Sequence, residues 1–477
     1  MKIRIILLII IVFFISCGKE KSALNKELLL TYYRLPEDSL KRMAVTFLLD
    51  NMMDQRSDIP GYSRSIITDS SSVKLLVPSY KTTPDSLVLN TKFLFSDINL
   101  AFDLWNKYPW ANKTPPEIFL NYLLPYKIYG EEPANWRSFF SKKYKNTIRK
   151  MLQNIETESL INSTDEIYYK FLVDEVGQWF TYNYHPVRYS RYPGLNELMA
   201  LKSSDCYGWS YLNVMILRSL GIPSTIDIIP LWGRKNGSHY TEVFWDNELQ
   251  RFRTASGREL DHPAKVFRYT FKRQGVHTDS ILPIINKPNI FLLNFLKHDH
   301  WLDVTHEHAL TATVDYECNV SSGFAYICVF NYGQWIPIYW GKVKDGNVRF
   351  ENMGTGILYR IAVPEKNSYK PASPVFCLNE KGNIIFFQPN RDEKKDLYLS
   401  QLNTGERSWV EAGKNYSLYY YDGTNDWTFF EAHKCEKDSL IVFKGIPSST
   451  LYQLLDTEQK QRLERIFTYE NGEQVWW

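Results

Sequence analysis

A chain of 477 residues exceeds what one hydrophobic core ordinarily serves, and its 44% hydrophobic and 23% charged composition excludes a disordered protein. The formal net charge is +3 with no long basic run, which excludes electrostatic recognition of nucleic acid. Aromatic residues reach 15%, with 32 Tyr and 14 Trp; they serve either β-rich cores or carbohydrate- and peptide-binding surfaces, sheet core being the commoner use.

The chain begins with Lys2 and Arg4 in a basic segment and continues through an apolar run from Ile5 to Ile15, too short for a stable membrane span and of the pattern of an export signal. It ends Phe14-Ile15-Ser16-Cys17-Gly18-Lys19, which resembles a bacterial lipobox, in which the cysteine is acylated and becomes the mature N-terminus. The resemblance implies residues 1–17 as a lipoprotein signal, a lipid anchor at Cys17, and, with Gly rather than Asp following, sorting to the outer membrane. Cys206, Cys318, Cys328, Cys377 and Cys435 then remain, an odd number that leaves at least one thiol unpaired. Cys318 and Cys328 flank a Ser-Ser-Gly turn and are either a cross-hairpin disulfide or buried thiols.

Residues 18–160 read as a helical region. Apolar residues spaced at three and four predict a helix from Asp38 to Met53 with Asp38 as its cap. Further helices are predicted over 84–106, 114–123, 135–155 and 164–182, with 124–137 holding a loop.

The centre, 161–280, changes character. Asp205 stands at an N-cap position, an apolar face follows through Tyr207, Tyr211, Val214, Met215 and Leu220, and Gly221 with Pro223 stops the helix. Thr225–Leu231 reads as a buried strand, and Tyr240–Trp245 with Gln250–Thr254 as a hairpin turning at Asp246-Asn247. Beyond about 300, short aromatic strands such as 325–330 and 335–340 predict a β-sandwich over 281–400, with a second small β-domain or its continuation over 401–477.

The chemistry concentrates at Cys206, which opens a helix, and His239, which begins a strand. Helix N-terminal N–H groups and a neighbouring imidazole both favour a thiolate, and the Cys206 N–H is placed to donate to an oxyanion. With the hairpin turning at 246–249, position 254 falls opposite 241 and 256 opposite 239, so Thr254 and Ser256 share the face of His239. Gln178 and Trp179 either border an oxyanion region or are ordinary helix positions, and Trp209, Trp232 and Gly233 either border a groove or pack. His298, His300, His306 and His308 are dense in sequence but match no metal-site spacing; with no CxxC or HExxH, no metal and no cofactor is expected.

Cys206, the helix ending Leu217-Arg218-Ser219-Leu220-Gly221-Ile222-Pro223, and His239-Tyr240-Thr241-Glu242-Val243 together resemble the transglutaminase-like superfamily of papain-type folds over about 165–270. That family's pattern is a cysteine helix ending Leu-Arg-x-x-Gly-Ile-Pro, a His-x-Trp-x-Glu-Val strand and an Asp on the next strand. Leu124-Pro125-Tyr126, Trp136-Arg137, Pro230-Leu231-Trp232-Gly233, Lys265-Val266-Phe267-Arg268 and Phe467-Thr468-Tyr469-Glu470-Asn471-Gly472 further resemble transglutaminase-domain lipoproteins of Bacteroidetes. The resemblance implies an α+β protein: a helical N-terminal region, a transglutaminase-like core and C-terminal β-sandwich domains.

It also implies thiol-dependent acyl transfer on a peptide, protein or glycopeptide, as an amidase or peptidase more readily than a cross-linker. Cys206 is the expected nucleophile and His239 its base and acid, with Thr254 as orienter where the family has Asp and Asp261 as a substitute. The rival expectation is a scaffold of weak or no activity that binds glycan or protein through its aromatic β-domains, and a third is a purely structural envelope protein.

Overall fold

The computed structural model describes residues 24–60, 68–69, 72–73, 80–154, 175–184, 191–254, 260–275, 299–318, 320, 323–365, 368–424, 427–437 and 439–477. Cys17, Ser256, His298 and most of the helix expected over 164–182 lie outside these residues.

The N-terminal region is helical around a core that includes Leu29, Leu48, Leu94, Ile98 and Phe102. Its first long helix is Ser39–Asn51; Asp38, the last residue of a 3-10 turn from Pro36, stands at its N-cap position as expected but makes no side-chain capping bond. The helix expected over 84–106 is two, Asp85–Val88 and Thr91–Lys107, parted where Asn90 turns extended and its side chain accepts from the Phe93 N–H at 2.9 Å. Arg56–Pro60 pairs antiparallel with Tyr80–Pro84, a ribbon the helical reading did not foresee. The stretch 135–155 is likewise split, into Trp136–Lys143 and Lys145–Asn154.

The Leu124-Pro125-Tyr126 and Trp136-Arg137 motifs are one buried clamp. The Arg137 guanidinium pairs with Asp97 at 2.9 Å and donates to the carbonyls of Leu123, Leu124 and Pro125, while Trp136 Nε1 donates to Tyr126 O at 3.0 Å. A carbonyl-lined loop deprived of water needs such donors, so these residues hold the fold together.

The central unit is the helix Cys206–Ser219 laid on one face of a five-stranded antiparallel sheet in the order Trp301–Asp303, Phe267–Tyr269, Ser224–Ile229, His239–Asp246, Arg251–Thr254. The helix is buried from Tyr207 to Ser219 apart from Trp209, between this sheet and the Trp136–Lys143 helix. It stops as its sequence requires. Gly221, at φ +79°, donates to Arg218 O at 3.2 Å and Ile222 to Leu217 O at 2.9 Å, the paired bonds of a Schellman cap. A Cβ at Gly221 would stand 3.0 Å from Ala111 Cβ and 3.2 Å from Leu104 O, so both backbone sign and space call for glycine.

Eight antiparallel strands between Thr311 and Phe386 form the next sheet, six of them expected only as a strand-rich run. Its residues Ala325, Ile327 and Val329 face its own core, while Tyr326 and Cys328 pack against the central unit, the alternation of a strand buried on both sides. A five-stranded antiparallel sheet spanning Asn415–Tyr421 to Glu473–Trp476, and the pair Asn390–Leu399 with Ile441–Ser448, build the last core. None of Cys206, Cys318, Cys328, Cys377 and Cys435 forms a disulfide, and the last four are buried. Burial pushes the Cys328 thiol up, and that of Cys377 to about 11.

Candidate functional site

The chain reaches Cys206 through a left-handed residue, Lys202 at φ 51°, and a short parallel bridge of Ser203–Ser204 to Thr181–Tyr182. Asp205 caps the helix, its carboxylate accepting from the N–H of Tyr207 at 3.1 Å and of Gly208 at 3.5 Å. Gly208 permits the close packing of this turn, since a Cβ there would lie 2.1 Å from Ser204 Oγ and 2.7 Å from Ser204 Cβ. Cys206 is thus held, partly exposed, in the first turn of a buried helix. The charged group next to it in the chain is a carboxylate.

Tyr182 completes this end of the helix. Its phenol interacts with Cys206: burial, followed by the charge of Cys206, raises it above its ordinary range. Tyr182 is a participant that sequence reasoning missed; only the Thr181–Ser203 bridge, between residues 22 apart, brings it here. Gln178 is exposed, Trp179 lies under the Lys143 ammonium at 3.9 Å from its ring centre, and Trp209 packs on Phe180 at 5.6 Å.

Successive residues of the His239–Asp246 strand point to opposite sheet faces. Tyr240 packs on Tyr207 with ring centres 4.3 Å apart, Glu242 Oε1 accepts from Asn213 Nδ2 of the helix at 3.0 Å, and Phe244 lies in the same core. These even-numbered residues face the Cys206 helix. His239 is on the other face, paired with Ile229 and set against Trp232, ring centres 5.8 Å apart. The helix and the histidine are on opposite sides of the sheet, so the expected pairing of Cys206 with His239 is not what the fold brings together. In the His-x-Trp-x-Glu-Val pattern, histidine precedes glutamate by four and shares its face; here His239 precedes Glu242 by three, and Ser238 holds the position four before. Burial first, then the nearby Lys235 ammonium, lowers the His239 imidazole to about 4, so it is neutral at neutral pH.

Thr254 shares the outer face of His239, as expected, but pairs with Val243 rather than with 241. Asp246 is the cause: its carboxylate accepts from the N–H of Glu248 at 2.8 Å and Leu249 at 3.0 Å, so the turn occupies 247–250 and the strands re-pair at Asp246–Arg251. Four strand positions, about 13 Å, then separate Thr254 from the level of His239, too far to orient its ring. Asp261 pairs with His262 Nδ1 at 2.6 Å.

The outer face of the sheet holds a different constellation. Buried Asp227 receives two bonds from Arg268, at 2.9 and 2.8 Å, and one from His308 Nε2 at 2.7 Å, while Arg268 also pairs with Glu307 at 2.8 Å. Burial raises the Asp227 carboxyl but Arg268 and His308 outweigh it and hold it below the usual carboxylate range. Lys265 pairs with Asp303 alongside. A cavity of about 620 Å³ opens here, with His262, His306, Glu307, His308, Thr355 and Glu380 among its lining residues. His300 lies apart, beside Gln55 and Tyr269. Among the described residues no three His, Cys, Asp or Glu side chains form a group suited to a metal ion.

No protein-family model matches the chain, and no curated protein matches it. Among solved structures it is similar to a transglutaminase of red sea bream, at 9% identity over 94% of this chain and 79% of that one, with a TM-score of 0.18. At that score the likeness assigns neither fold nor activity.

Proposed function

We propose that the chain is an exported envelope protein, anchored through lipid on Cys17, in which a transglutaminase-like scaffold serves to bind glycan or protein rather than to turn over an amide. The observation that carries this reading is the parity of the His239 strand: a partly buried tyrosine, Tyr240, faces the Cys206 helix where a dyad needs an imidazole. The carboxylate cap at Asp205, a negative charge beside the thiol, supports it. On the binding side, the cavity beside His306 and His308 supplies donors and acceptors suited to hydroxyl groups, and exposed Tyr398, Trp409 and Phe429 supply aromatic surface.

The second reading is Cys–His acyl transfer on a peptide, protein or glycopeptide, favoured by one observation: Cys206 is partly exposed in the first turn of its helix, where a nucleophilic thiol belongs. A thiol-reactive amide probe separates the two. The binding reading expects no labelling beyond that of an ordinary accessible thiol, with His239→Ala labelled at the same rate as the parent. Turnover-dependent labelling lost in both Cys206→Ala and His239→Ala would overturn it in favour of the enzyme. Array binding to glycans and envelope proteins, compared with a Glu307→Ala/His306→Ala variant, tests the cavity.

A further inference from the structure

The N-terminal helices expose an apolar surface. In the helix Lys26–Tyr32 only Leu29 is buried, while Leu28, Leu30 and Tyr32 are 50%, 40% and 62% exposed. Leu35 at 57%, Leu40 at 44% and Met43 at 43% extend the exposed apolar side chains into the next helix. Leu28 and Tyr32 are four apart, as are neighbours on one helix face, and Leu40 and Met43 three apart. Arg42 donates to the carbonyls of Tyr33 and Leu35 at 2.8 and 2.6 Å, tying the connecting segment to the second helix. This concentration of large apolar side chains in water is costly unless something covers them.

Chain length says what does. Seven residues, 18–24, separate Cys17 from Asn25, the cap whose side chain accepts from Leu28 N at 2.9 Å. Fully extended, they reach about 25 Å. We infer that the exposed apolar side chains of this segment, with Leu28 and Tyr32 on one helix face and Leu35, Leu40 and Met43 following, dock on the lipid leaflet that holds the anchor, so that the protein is seated on the membrane by these helices as well as tethered to it. This rests on the lipid anchor at Cys17 proposed above. Tyr32 suits the interface, its ring 3.9 Å from Phe95 and its hydroxyl available to headgroups. From Lys26 to Met43 the basic Lys26, Arg34, Lys41 and Arg42 are balanced to within one charge by Glu27, Glu37 and Asp38, so the contact is apolar in origin and little affected by salt.

The test uses the full-length acylated protein in phosphatidylethanolamine–phosphatidylglycerol vesicles. A nitroxide on Leu28→Cys, in a Cys206→Ser background, is compared with one on Tyr332→Cys, 45% exposed in a β-turn far along the chain. Docking expects the ratio of oxygen to nickel-chelate accessibility to rise several-fold at 28 on membrane binding and not at 332. Hydrogen exchange of residues 26–35 in the unsubstituted protein, slowed by vesicles and unaffected by 0.5 M salt (a concentration of about this order suffices to screen surface charge), is the second readout. Acylated protein with a water-exposed label at 28 and unslowed exchange overturns the docking alone. An intact mass showing Cys17 unmodified overturns the anchor and the docking with it.

Discussion

On the helix side of the central sheet the polar groups are few and answered by the helix, as Glu242 is by Asn213; on the outer side they are ions. The helix side carries Tyr207, Tyr211, Tyr240 and Phe244, an aromatic interface beneath the partly exposed thiol of Cys206. The outer side carries Asp227, Arg268, Glu307 and His308, joined by charge-assisted bonds beside the cavity. A nucleophile and titratable groups are both present, yet a sheet stands between them. Residue inventory is therefore a weaker guide to chemistry than the face each residue occupies.

The comparison breaks most visibly at Asp227. Removing one member of a buried, hydrogen-bonded ion pair leaves an uncompensated charge, so Asp227→Ala should lose about 3–5 kcal/mol in urea unfolding, or fail to fold, and a much smaller loss would mean the outer cluster is hydrated. On the helix side, Gly208→Ala forces a Cβ into Ser204 and should cost about 1–3 kcal/mol, largely restored by adding Ser204→Gly.

His239 sharpens the contrast through pH. Its folded value, about 4, lies below the ordinary 6.5, so the unfolded chain binds the proton more tightly. The stabilisation is complete above pH about 6.5 and is lost as pH falls toward 4, amounting to about 1–3 kcal/mol once partial exposure is discounted. His239→Gln should flatten that acid limb between pH 6.5 and 4; an unchanged limb would place the titration elsewhere. The smallest effect belongs to Cys206→Ser, which should alter stability by under about 0.5 kcal/mol. It should also abolish the fast-reacting thiol among the described residues, since Cys318, Cys328, Cys377 and Cys435 are buried.

The helix at Cys206 was legible because its signals are local: Asp205 caps it, the apolar face repeats at helical spacing, and Gly221 and Pro223 stop it. The strands at 225–231 and 240–245 were legible for the same reason, as Ser224–Ile229 and His239–Asp246. The opposition of Cys206 and His239 was legible too, in the three-residue spacing from His239 to Glu242, but only to a reading that tracks strand parity as well as motif order. Thr254 required the turn length, set by the Asp246 side chain. Tyr182 and the Asp227 cluster required contacts between distant segments, which no local pattern encodes.

Arg465 illustrates such distance. Buried, with its guanidinium lowered to about 9 by burial, it donates to the carbonyl of Gly233 at 2.6 Å, of Trp477 at 2.7 Å and of Phe330, and to Asn236 Oδ1 at 3.3 Å. Asn236 in turn donates to Thr404 O and Leu463 O, so the loop before His239 is tied to both β-rich units. The Gly233 and Arg465 partners are 232 residues apart. A synthesised chain carries the loop bearing Gly233 and Asn236 unsatisfied until Arg465 arrives, so this junction closes late and slowly, with a large loop entropy to overcome. The seam where the loop before His239 meets both β-rich units is consequently the part of this region that can form only once nearly the whole described chain is present.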